Sequence, residues 1–159
     1  MNPSEVLLLA FLIGVLAGLR SLTAPALVSL AAHREWIHLH NTPLSFMART
    51  PTFAIFLLLA LGELVADKLP STPSRTAPLG LVARILMGGL CGACLALAGM
   101  QSPALGAVLG AAGGVAGTYG GYQLRTRLVK ALGCPDFVIA LVEDALAIGG
   151  GLFIVSRFQ

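Results

Sequence analysis

The chain has 159 residues, 57% of them hydrophobic and only 11% charged, against roughly 25% charged in an ordinary soluble domain. That balance leaves too few polar residues to coat a soluble core of this size, whereas a bilayer accepts apolar surface directly. The formal charge of +3 is too small and too dispersed for nucleic-acid binding, and the length suits one membrane domain over residues 1–159 without a separate catalytic module.

A helix that crosses the hydrocarbon core needs roughly 20 apolar residues. Five segments supply them, so the expected fold is all-α: a polytopic membrane protein of about five transmembrane helices. The first predicted span runs from Val6 to Ala32. Its leading residues carry Glu5 and no Lys or Arg, and its apolar run exceeds that of a signal peptide, so it reads as a membrane helix of the mature protein. It is interrupted at Arg20-Ser21-Leu22-Thr23-Ala24-Pro25, where proline removes a backbone donor and a kink or break is expected. The remaining spans are Phe53–Leu69, Leu79–Ala98, Pro103–Gln123 and Phe137–Val155.

The connections differ in character. Residues 33–52 hold His33, His38, His40, Trp36, Arg34, Glu35 and Arg49, a mixture suited to a loop lying at the membrane interface. Ligand spacing this loose predicts no metal site, and no cofactor is expected. Residues 68–78 are polar and contain three prolines, while 99–103 form a bare turn. Cys91 and Cys94 form a CxxC inside an apolar helix, where cysteine serves as a small packing residue rather than a redox pair.

With five spans, the N-terminus would share one side with Lys68, Arg75, Arg125, Arg127 and Lys130, and Arg34, Arg49 and Arg157 would lie on the other. The positive-inside bias then places the N-terminus in the cytoplasm and the C-terminus outside.

Two pairs of segments resemble each other: Leu16-Ala17-Gly18 with Val115-Ala116-Gly117, and Ala60-Leu61-Gly62-Glu63 with Ala140-Leu141-Val142-Glu143. They suggest an inverted repeat relating predicted helices 1–2 to 4–5, an arrangement common in secondary transporters. In the fourth span Gly106, Gly110 and Gly114, with Gly113, Gly117 and Gly121 one step round, repeat the GxxxG spacing that lets helix backbones approach closely in lipid. The partner is another helix of the same chain or a second copy, and a homo-oligomer, most simply a dimer, is expected.

Ionisable residues inside spans are costly and by default mark an ion or substrate path. Glu63 and Asp67 stand four apart on one face of the second span, Glu143 and Asp144 lie within the fifth, and Arg20 is the cation placed to balance them. The alternative is a structural ion-pair cluster. Arg84 and Arg125 lie near helix ends, where headgroup contact explains them. No nucleophile–base pair, HExxH motif or nucleotide loop is present, so catalysis is not expected.

Three stretches carry a resemblance: Gly18-Leu19-Arg20-Ser21-Leu22-Thr23, the run from Glu63 to Thr76 (ELVADKLPSTPSRT), and Val142-Glu143-Asp144-Ala145-Leu146-Ala147. Together the chain resembles the bacterial membrane family catalogued as domain of unknown function 4126. The resemblance implies a small multi-pass protein of the bacterial inner membrane and brings no settled activity.

The leading expectation is a small transporter or channel-like protein that moves an ion or small solute through the lipid bilayer. Arg20, Glu63 and Glu143 would line the path, with Asp67, Asp144 and Arg75 as further members. The alternatives are an accessory protein packing through its glycine face and a protein that handles lipid headgroups.

Overall fold

The computed structural model describes residues 1–66, 77–133 and 135–159, and these are helical with no strand among them. Six α-helices follow in order: α1 (Pro3–Leu19), α2 (Thr23–His33), α3 (Thr50–Ala66), α4 (Pro78–Ala98), α5 (Pro103–Leu132) and α6 (Asp136–Ser156). A short 3-10 turn, Ser45–Ala48, precedes α3. Two of the helices, α4 and α6, are long and apolar enough to cross a membrane, each with 21 residues. The apolar α1 and α3 are shorter, with 17 residues each. Five full spans are therefore not what the helix lengths show.

The first predicted span, 6–32, is two helices. The Arg20 backbone turns extended at φ −138° and ψ 105°, although its N–H still reaches the Leu16 carbonyl. A new helix then starts at Thr23. Pro25 falls in its first turn, where the missing donor costs nothing. Proline here begins a helix instead of kinking one.

Beyond the break the chain doubles back. Leu16 and Leu27, on opposite sides of it, both lie against Gly151 of α6. α3 then runs antiparallel to α2, since His33 stacks on Phe53 at one end, ring centroids 6.0 Å apart, and Ser21 meets Glu63 at the other. α2 has only 11 residues, about 16 Å of helix. The loop below it completes the depth, with Ile37, Leu39 and Met47 buried in the core alongside Val28, Ala31 and Leu95. Ser29 Oγ secures that loop by donating to the Met47 carbonyl at 2.6 Å. The expected interfacial loop is thus partly a plug inside the protein, and Trp36 packs against the same core.

This hairpin changes the parity of the chain. Arg157 Nη2 donates to Glu5 Oε1 at 2.9 Å, so both termini lie at one end of the bundle. The expected arrangement, with termini on opposite sides, is corrected by the extra reversal at Arg20–Leu22.

At the centre, α5 packs between α1 and α4 along its glycines. Methyl groups added at Gly14 and Gly88 would both run into the backbone of Gly110, and one at Gly92 into Gly106. Methyl groups at Gly113 and Gly117 would strike the carbonyls of Phe11 and Val15. Backbones approach this closely only where at least one of the facing residues has no Cβ. The expected GxxxG face is present, and Gly106, Gly110, Gly113, Gly114, Gly117 and Gly121 are all buried. Its partners among the described residues are α1 and α4 of the same chain. Gln123, Arg125, Arg127 and Lys130 in its last third leave α5 less apolar than α4 or α6.

The inverted repeat does not survive this geometry. Phe11 meets Gly113 and Val15 meets Gly117, so positions rise together and α1 runs parallel to α5. Inverted copies would place these two helices in opposite directions.

A charged tip on the helical hairpin

The α1–α2 hairpin ends in Arg20-Ser21-Leu22, and two other helices grip that tip. From α3, Glu63 accepts three hydrogen bonds: Ser21 N–H to Oε1 at 2.8 Å, Ser21 Oγ to Oε1 at 2.6 Å and Leu22 N–H to Oε2 at 2.9 Å. A carboxylate suits this place because the first turn of α2 presents unsatisfied N–H groups and the positive end of its dipole. From α6, Asp144 Oδ1 stands 2.5 Å from Arg20 Nη2, and the Arg20 side chain is wholly buried. The Thr23 hydroxyl, also buried, finds no hydrogen-bond partner among the described residues.

The tip lies below the end of the bundle. Gly18 and Arg84 both face Gly114, and α4 continues six residues beyond Arg84 to Pro78, about 9 Å at 1.5 Å per residue. Arg84 itself is buried.

Beside this tip a second set of charges joins α5 to α6. Arg125 Nε donates to Asp136 Oδ1 at 2.8 Å and its Nη1 to Glu143 Oε2 at 3.1 Å, while Nη2 also meets Asp136.

Among the residues predicted to line a path, Arg20, Glu63, Glu143 and Asp144 gather at this end of the bundle. Their pairing follows expectation in part. Of the carboxylates that Arg20 is expected to balance, Asp144 is paired with it. Glu63 instead binds backbone and hydroxyl donors, and Glu143 pairs with Arg125. Asp67 and Arg75 lie outside the described residues. Arg125, assigned from sequence to headgroup contact, is a member of the cluster, and the signal was available. Arg125 lies seven residues before the end of α5 and Glu143 seven after the start of α6, where an antiparallel hairpin sets them opposite each other. Cys91 and Cys94 are free thiols buried in the apolar core, as a packing role requires.

A family model described as Domain of unknown function (DUF4126) matches residues 7–156. The chain belongs to the DUF4126 family. The match covers the hairpin tip, α3 and the acidic pair on α6, so the whole charged cluster of this DUF4126 chain falls inside the family domain. No curated protein and no solved structure matches it.

Proposed function

We propose that this DUF4126 protein is a multi-pass membrane protein that moves an ion or small solute past the tip of its α1–α2 hairpin. One observation carries the reading: the buried Arg20–Asp144 pair sits at a helix break in a chain whose outer surface is apolar. Intramembrane charges at discontinuous helices mark substrate and ion sites. The membrane setting is supported by large exposed apolar side chains on five of the six helices, among them Leu8, Leu58, Leu86, Val108 and Phe153. A water-facing protein of this size does not carry so continuous an apolar surface.

Arg125, Arg127 and Lys130 lie toward the α5–α6 turn, and Lys68 and Arg75 fall in the chain between α3 and α4. Arg34, Arg49 and Arg157 accompany the termini. The positive-inside bias, applied to this hairpin topology, sets the α5–α6 turn in the cytoplasm and both termini outside it. For a bacterial protein the membrane would be the inner one.

A second reading, a structural or accessory membrane protein, draws support from the pairing itself. Glu63, Asp136, Glu143 and Asp144 all have partners, as an ion-pair cluster that fixes helix packing would require. Flux across liposomes separates the two, with protons, Na⁺, K⁺ and small anions screened for wild type, Asp144→Asn and Glu63→Gln. The transport reading expects flux in wild type and its loss in variants of unchanged helix content. Absence of flux for every solute overturns it in favour of the accessory reading.

A further inference from the structure

α3 is held differently from the other helices. Of its 17 residues only Ala60 is buried, and Ile55, Leu58, Leu61 and Val65 are well exposed. Among the described residues it packs on α2 and on the 3-10 turn. At its N-terminal end Phe53 stacks on His33. Toward its other end Glu63 supplies the three hydrogen bonds to Ser21 and Leu22. So few buried contacts place α3 among the segments of low local stability, while the charge-assisted bonds at Glu63 are the strong kind.

We propose that Glu63 is a latch: its charged carboxylate holds α3 against the hairpin tip, and neutralising that carboxylate lets α3 swing away and open the tip. A neutral group in its place accepts weaker hydrogen bonds, and the amide of a glutamine sets a donor against backbone N–H groups that are donors themselves. The surroundings leave Glu63 as the group that decides. Among the described residues, the charged or titratable ones on the elements packed against α3 are His33 at the far end of α2 and Arg34 and Arg49 flanking the loop. At the tip, Arg20 is already paired with Asp144. The latch rests on the tip being the working site, and it names the element that covers that site.

The test measures a distance instead of transport, so its failure and the failure of the transport reading are told apart. Spin labels go on Val65→Cys in α3 and Leu146→Cys in α6, both exposed positions. Cys134 is replaced by alanine, and Cys91 and Cys94 stay in their buried places. A control pair sits on Leu86→Cys and Val108→Cys, across the glycine-packed α4–α5 interface. In bilayer nanodiscs the wild-type α3–α6 distance should be narrowly distributed. Glu63→Gln should broaden and lengthen it, Ser21→Ala should do so to a smaller degree, and the control pair should not change. An α3–α6 distribution that is unaltered by Glu63→Gln, or already broad in wild type, overturns the latch. So does broadening of both pairs together, which would mean general loosening of the bundle.

Discussion

Arg20 and Asp144 stand 2.5 Å apart with Arg20 wholly buried, and this pair ties the break after the first helix to the middle of the last. The Arg125–Asp136 pair involves the same residue types, but Asp136 is 63% exposed on its side chain. The two pairs therefore answer differently to the same change.

Removing one partner from a buried charge leaves it less well compensated away from water, at a cost of up to about 3–5 kcal/mol. An exposed pair contributes about 0–1 kcal/mol. Asp144→Asn should accordingly lower the denaturation midpoint of the purified protein far more than Asp136→Asn. Equal losses in a thermal or denaturant titration would show that the Arg20 site is hydrated.

The glycine positions divide sharply. A side chain at Gly110 would strike the backbone of α4, whereas nothing stands within 4 Å of one at Gly120 or Gly149. Gly110→Ala should destabilise by about 1–3 kcal/mol through overpacking. Gly120→Ala should be neutral or stabilising by about 0.4–1 kcal/mol, because alanine restricts the unfolded chain. The ordering is read from unfolding midpoints, and a Gly110→Ala protein as stable as wild type would refute the α4–α5 seam.

Topology gives an all-or-none test. Glu5 and Arg157 are hydrogen-bonded, so cysteines at Asn2 and Gln159 should react with a membrane-impermeant reagent from the same side of sealed vesicles. Labelling from opposite sides would restore an odd number of crossings.

The same terminal contact carries a pH dependence. The hydrogen bond from Arg157 holds the Glu5 carboxyl below its ordinary range. A carboxyl lowered in the folded state stabilises above its unfolded pKa, about 4.3, and that contribution is lost as pH falls through the lower folded value. Hydrogen exchange in the last turn of α6 should therefore quicken below about pH 4. In Glu5→Gln it should be faster at neutral pH and lose the step. A step that persists in Glu5→Gln would assign it to another carboxyl.

The apolar composition and the glycine spacing were enough to establish an all-helical chain with a close-packed glycine face, because both follow from local pattern and hydropathy. Three helices, α3, α4 and α6, begin and end within a few residues of their expected bounds for the same reason. The disruption at Arg20–Pro25 was equally legible, since a charge, two hydroxyls and a proline together oppose a continuous helix. What sequence could not decide is that the chain reverses there. Reversal depends on partners far away in sequence: Glu63 satisfies the free N–H groups, Asp144 neutralises Arg20, and Ile37, Leu39 and Met47 fill the depth that the short α2 leaves. Without those contacts a kinked span and a hairpin read alike. The direction of the whole topology, and the pairing of each carboxylate with its cation, follow from that one tertiary choice.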